Sequence, residues 1–244
     1  MIFFLSPAKN MRAAARKDLC LTRPRFLART CELQHILCGK TPFALESVLH
    51  VNPALALRAC AAFQDWTDEG GSAAALAFDG LAYKHLQAQT LSKDALDWAQ
   101  DRMRLFSAFY GPLRPLDAIR PYRLELAHKL DGRTLYDFWG DAFYRDVFAG
   151  GEPVVNLASD EYARAVRTHL RPSDRLLTIR FLTYRKGKLC CLPAIAKMAR
   201  GQMARFFIEN AIDAPEQLPF FVWDGFRYEQ GLSDNETLTF VQHG

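Results

Sequence analysis

Apolar and polar positions along this chain follow two rhythms, one helical and one extended. Residues 1–5, "MIFFL", form an apolar run of strand length. In "RPRFLARTCELQHILCG" (23–39) apolar residues recur at helical spacing and stop at Gly39, a residue suited to ending a helix. Thr41-Pro42 and Asn52-Pro53 each set a capping side chain before a proline, which predicts helices over 42–50 and 53–66. "DEGGSA" (68–73) reads as a loop, and "AALAF" (74–78) as a buried strand ended by Asp79-Gly80. Ser92 caps a helix reaching about 102. "PVVNLAS" (153–159) predicts a strand, and Ser159 or Asp160 caps the helix "DEYARAVRTHL". "DRLLTIRFLTY" and "KLCCL" flank Lys186-Gly187-Lys188 as a strand pair with a basic turn. A helix over 194–211 and a last strand over 237–241 complete the series. No repeat, low-complexity tract or linker interrupts it. Strands and helices are interspersed without a strict βαβ rhythm. The expectation is one compact α+β domain over 1–244, with helices surrounding a mixed β-sheet.

One stretch fits neither rhythm. "FSAFYGPLRPLDAIRPYRLEL" (106–126) carries three prolines and Gly111 among many apolar residues. Five arginines and no lysine lie between 102 and 123. Gly111 tolerates a positive φ, so the chain can reverse at Tyr110-Gly111. A glycine turn exposes backbone amides, and Arg114, Arg120 and Arg123 supply fork-shaped donors suited to phosphate. The competing reading is a rigid core elbow whose arginines pair with local acids. Spacing leaves both open.

Composition narrows the partners. The formal net charge is +4 and the pI about 8.7, short of the pI above roughly 9 that marks a strong nucleic-acid footprint. Anion binding must therefore come from local clustering. No apolar run approaches the roughly 18–20 residues of a membrane span, and the start lacks a basic n-region, so a cytoplasmic protein is expected. Six cysteines show no CxxC, and six histidines show no ligand spacing. Neither a metal nor a cofactor is predicted, and the thiols are expected to be reduced.

Local clusters exist. On the helix 194–211, Lys197, Gly201 and Arg205 oppose an apolar face, with Arg200 on the flank. A mid-helix glycine costs about 1 kcal/mol relative to alanine, so something approaches Gly201 closely, either another backbone or a phosphate chain. "NLASDEY" puts Asn156 and Ser159 where a strand passes into a helix, a common ligand crevice. "SPAK" has the S-x-x-K form at Ser6 and Lys9, but the companion SDN and KTG motifs are absent. Lys9 remains a candidate anion contact. The aromatics of "LYDFWGD" (135–141) read as core, with base stacking the alternative.

"LSPAK" (5–9), "LRPLD" (113–117), "PYRLE" (121–125), "FWGD" (138–141), "NLASDEY" (156–162) and "ARG" (199–201) with Met203 occur in order over nearly the whole chain. As a set they resemble the YaaA family of peroxide stress resistance proteins. The resemblance implies a cytoplasmic, single-domain α/β protein that binds double-stranded DNA through a helix-hairpin-helix element and a basic cleft. It implies protection against hydrogen peroxide, tied to lower free iron, with no established reaction. On this reading Tyr110 and Gly111 form the hairpin tip, and Lys9, Arg114, Arg120, Arg123, Lys197, Arg200 and Arg205 meet phosphates largely without regard to sequence. Pro112 lacks the N–H that a family member with an aliphatic residue there would offer. The alternative is an enzyme acting on a nucleotide or damaged base, in a pocket drawn from Ser6, Glu125, Asn156, Ser159 and Glu161 with arginines on the phosphate. Convergence of Arg123, Glu125, Asn156 and Glu161 in one cleft separates the two.

Overall fold

The computed structural model describes residues 1–243. Its centre is a mixed sheet of eight strands: β1 (Ile2–Leu5), β2 (Met103–Ser107), β3 (Gly111–Leu113), β4 (Val154–Asn156), β5 (Leu176–Arg185), β6 (Lys188–Cys190), β7 (Phe226–Tyr228) and β8 (Thr237–Gln242). The order across the sheet is β7-β8-β5-β4-β1-β2-β3, with β6 folded back on β5. β8, β5, β4, β1 and β2 run parallel, whereas β7, β3 and β6 are antiparallel to their neighbours. Parallel strands buried on both faces read as unbroken apolar runs, and "IFFL" is one. Phe4 on β1 stacks on Phe106 of β2 at 4.3 Å between ring centroids, and Phe3 meets Phe207 edge-on.

The helices are α1 (Leu27–Cys38), α2 (Pro42–Leu49), α3 (Pro53–Gln64), α4 (Leu81–Leu86), α5 (Lys93–Arg102), α6 (Leu135–Trp139), α7 (Ala142–Val147), α8 (Asp160–Arg167) and α9 (Pro193–Glu209). Thr41, Asn52 and Ser92 accept the backbone bonds that start α2, α3 and α5, as the sequence predicts. α1 starts at Leu27 rather than near residue 23, because the backbone of Thr22 bonds to Leu116 and Ala118 and delivers the chain extended.

Two expectations need correction. "AALAF" is not a strand. Ala74–Ala77 makes one turn of helix, set between two-residue ladders at Ser72–Ala73 and Phe78–Asp79 that pair with different partners. Small alanines held at both ends close a turn more readily than they bridge two ladders. The stretch 106–126 holds no helix-hairpin-helix element. β2 and β3 form a strand hairpin with Phe106 opposite Pro112 and Ser107 opposite Gly111, and no helix lies between Arg102 and Leu135. Pro112 is tolerated because β3 is an edge strand. Gly111 has φ +75°, and a Cβ there would come within 2.7 Å of the Trp139 ring. Tyr110 is buried, its hydroxyl accepting from Trp66 Nε1 (2.8 Å) and the Arg120 amide (2.9 Å). The hairpin tip therefore belongs to the core and offers phosphate no surface.

α9 crosses α4 at backbone contact. A Cβ on Gly201 would stand 2.0 Å from the Ala82 carbonyl oxygen. Of the two explanations left open for this glycine, another backbone is the one observed.

Candidate functional site

β1 and β4 are adjacent and parallel, but their continuations part. The chain leaving β1 goes on to β2 on one side, and the chain leaving β4 goes through α8 to β5 on the other. A crevice opens where such loops diverge. Here it is a cavity of about 470 Å³. Leu5 at the end of β1, residues 6–10 after it, the start of α4, the strap 122–125, the turn into α8, and Lys197 and Arg200 of α9 line it.

Its back wall is tied by two serines. Ser6 Oγ accepts from the Ser159 amide at 2.8 Å and lies 3.1 Å from Ser159 Oγ. Ser159 stands at the N-cap position of α8, yet its side chain makes no capping bond. The Tyr83 hydroxyl donates to the Ser6 carbonyl (2.8 Å). Asn156 is buried beneath the turn, where Oδ1 accepts from the Ala158 amide (2.8 Å), so it shapes the site from behind without lining it.

The acids come from the strap and from α8. Lys9 Nζ is 2.7 Å from Glu125 Oε1. The Glu125 amide donates to His128 Nδ1 (3.1 Å), which puts the neutral ring's proton on Nε2. Burial holds the His128 imidazole below its ordinary pKa, against the opposing pull of Glu125. Glu161 Oε1 accepts from the Ala127 amide (3.3 Å). Burial, and then the charge of Glu125, push the Glu161 carboxyl above its ordinary range.

Three tyrosines line the cavity, and burial pushes the pKa of each up. Tyr83 donates to Ser6, and Tyr122 accepts from Ser107 Oγ (2.8 Å). The Tyr162 hydroxyl has no partner although its side chain is only 4% exposed. Arg200 Nε is also buried and unpartnered, and burial lowers the pKa of that guanidinium. These two are the only such side-chain atoms among the described residues, and both belong to residues that line the same cavity. Leaving a buried polar group unmatched costs roughly 1–3 kcal/mol. Arg123 and Lys197 likewise have no acid partner among the described residues.

Of the residues singled out from sequence, Ser6, Lys9, Arg123, Glu125, Ser159, Glu161, Lys197 and Arg200 thus share one cleft. Arg114, Arg120 and Arg205 do not. Arg114 forks onto buried Asp117 at 3.0 and 3.2 Å. Arg120 Nε donates to the Glu69 carbonyl (3.0 Å). Arg205 ties α9 to the Leu86 carbonyl and Thr90, and pairs with Glu209 one turn along the same helix. Sequence reasoning missed Tyr83, Tyr122, Tyr162 and His128. Two of these tyrosines sat inside quoted motifs, "PYRLE" and "NLASDEY", without an assigned role. Among the described residues no cluster of three His, Cys, Asp or Glu is placed to hold a metal, and no helix is long and apolar enough to cross a membrane.

Known proteins share this chain end to end. A UPF0246 protein of Maricaulis maris (strain MCS10) is 41% identical over 251 aligned positions, covering 98% of this chain and 95% of the relative. A UPF0246 protein of Caulobacter vibrioides (strain NA1000 / CB15N) is 39% identical over 253 positions, covering 99% of each. The family model described as "Peroxide stress protein YaaA" matches residues 1–232. With the motif set in place and a match over nearly its whole length, the chain belongs to the peroxide stress protein YaaA family.

Proposed function

We propose that this protein binds DNA in the response to hydrogen peroxide, protecting it from damage linked to free iron, and that the cleft at the β1/β4 crevice takes a single nucleotide unit. The supporting observation is the make-up of the cleft. Arg123, Lys197 and Arg200 stand without acid partners, Glu125 and Glu161 stand nearby, and apolar residues of the β1 loop and α4 wall the space. Cations alone would suit any anion. Carboxylates beside them repel phosphate but accept from the N–H groups of a base. A nucleotide carries phosphate, N–H donors and an apolar ring face together. A cavity of about 470 Å³ lies in the range of small-ligand pockets and far below the girth of a duplex. The unit enters from a single strand or by extrusion, which costs a few kcal/mol when the base is paired.

The test is fluorescence anisotropy of a labelled oligonucleotide over a salt series. Three open cations predict a slope of log affinity on log salt near two for a single strand, at about 0.7 per contact. Arg123→Ala should reduce the slope by one contact. A flat salt dependence, or an Arg123→Ala protein that binds like the parent, refutes the reading.

A second reading, catalysis on the bound nucleotide or a damaged base, is favoured by Glu161. Its carboxyl keeps its proton to higher pH than an ordinary glutamate, as a general acid must. Loss of base or phosphate from an oligonucleotide incubated with the parent, but not with Glu161→Gln, would support it. An unchanged oligonucleotide refutes it.

A further inference from the structure

The strap that brings Arg123 and Glu125 to the cleft belongs to no strand or helix. Side chains near its two ends hold it instead. At one end Tyr122 is buried, and its hydroxyl accepts from Ser107 Oγ (2.8 Å). At the other end Glu125 and His128 close a turn on each other. The His128 amide donates to the Glu125 carbonyl (3.1 Å), and the Glu125 amide donates to His128 Nδ1 (3.1 Å). His128 is buried, which keeps water from taking the ring's place. The Glu125 side chain is tied to Lys9, but Lys9 is 68% exposed, and ion pairs in water are worth little. Next along the turn, the Ala127 amide reaches Glu161 of α8 at 3.3 Å. The charged and titratable groups that act on the ring are Glu125 and Arg123 on the strap, Lys9 after β1, and His50 after α2, whose ring centroid is 5.9 Å away.

We infer that His128 is a positioning residue of the cleft: its neutral ring holds Glu125 and Arg123 in place for a bound nucleotide unit, and a proton on Nδ1 releases them. This rests on the nucleotide reading above and deepens it. Nδ1 accepts from an amide only while it carries a lone pair. Once protonated it is a donor facing a donor, and the turn must open. Buried Tyr122 and Leu124 keep the strap attached, so Arg123 and Glu125 shift without unfolding the chain. The sign of the effect is diagnostic. Burial holds the folded pKa of His128 below 6.5, so affinity is full above pH 6.5 and falls as pH drops through the folded value. Charge alone predicts the reverse. A proton on His50, Glu161 or His128 itself makes the surroundings of the cleft more positive, which favours phosphate. A displaced strap weakens binding instead.

The experiment is anisotropy titration of the full chain with rhodamine-labelled oligothymidylate from about pH 7.5 to about pH 5 at fixed ionic strength, a range that brackets histidine titration. Neither thymine nor a phosphodiester titrates there, and melting curves at each pH control for folding. Parent affinity should fall at least about fivefold on acidification, as expected when one buried hydrogen bond is lost. His128→Ala removes the acceptor and should bind weakly at every pH. His128→Asn returns an acceptor that does not titrate, and should restore binding and abolish the fall. Parent affinity that stays flat or rises, an Asn variant that falls like the parent, or an Ala variant that binds like the parent at high pH overturns the assignment. Hydrogen exchange of residues 122–128, corrected for the intrinsic effect of pH, reads the strap without a ligand. Its protection should be lost at low pH in the parent and kept in His128→Asn, and equal protection in both overturns the assignment. If oligothymidylate binds at no pH, the nucleotide reading fails, and the exchange measurement alone decides whether His128 holds the strap.

Discussion

Arginines of this chain divide into two kinds, and the division governs what each substitution does. Arg104 is almost fully buried against Asp146, with Nε 2.6 Å from the carboxylate. Removing it leaves buried Asp146 with Arg25 alone, 3.0 Å away, so Arg104→Ala should cost roughly 1–3 kcal/mol of stability in chemical denaturation. Arg200 is the opposite case. It makes no ion pair that its removal would break, and its Nε is buried without a hydrogen-bond partner. Arg200→Met should keep or raise the melting temperature while weakening oligonucleotide binding by about 1–3 kcal/mol. A sharply lower melting temperature would mean that Arg200 is structural. His128 gives a pH signature. Its folded pKa lies below the unfolded value of 6.5, so the unfolded chain takes up a proton first as pH falls. Stability from the neutral ring is full above pH 6.5 and is lost as pH drops toward the folded pKa. His128→Asn leaves an acceptor for the Glu125 amide without a titrating ring. Its stability relative to the parent should improve between pH 7 and pH 5, and denaturation at the two pH values measures this. Glu161 has the opposite sign: its folded pKa is raised, so its contribution shrinks as pH rises above the ordinary glutamate range.

At the scale of elements, cap-and-proline starts were the most legible features, because a side chain three residues from an amide decides them locally. The β2–β3 hairpin was legible only as an oddity. Its purpose depends on Trp139, which arrives 28 positions after Gly111 and seats its ring where a Cβ would be. Spacing within 106–126 carries no sign of that contact. The same holds for α9, where only the fold brings Ala82 under Gly201. Both contacts set a test. Gly201→Ala drives a methyl into a backbone oxygen that cannot swing aside, and overpacking of this kind costs about 1–3 kcal/mol. A chain of this size should lose roughly 3–10 °C in melting temperature. Because α9 carries Lys197 and Arg200, oligonucleotide affinity should fall with it. Gly111→Ala, with φ +75° and the Trp139 clash, should destabilise as well but leave affinity at moderate temperature unchanged, since neither Gly111 nor Trp139 lines the cleft. Equal loss of affinity in both would contradict the separation between the hairpin tip and the cleft.

Across the whole molecule, the candidate site was half legible. Strand-to-loop residues such as Ser6, Lys9 and Ser159 announced themselves by position, since parallel strands end at a crevice. Tyr162 did not, because an aromatic in the first turn of a helix reads as core until a cavity is seen beside it. The cysteines complete the picture at this scale. They are free and scattered: Cys60 is buried, Cys38 and Cys190 are half-buried, and Cys20, Cys31 and Cys191 are exposed. None lines the cleft, and Cys191 alone is near enough to Arg200 to act on its charge. A sensor thiol needs a partner or a basic neighbour that makes it a thiolate and a resolving group that reads the oxidation out. Nothing in this distribution joins a thiol to the cleft except the Cys191–Arg200 proximity. Replacing all six cysteines by serine or alanine should therefore leave oligonucleotide affinity within about twofold of the parent. Treating the parent with hydrogen peroxide before titration should do the same. Cys191→Ser is the most demanding single variant: if it alone abolishes a peroxide-induced change in affinity, the response runs through that thiol and the cleft is redox-coupled after all.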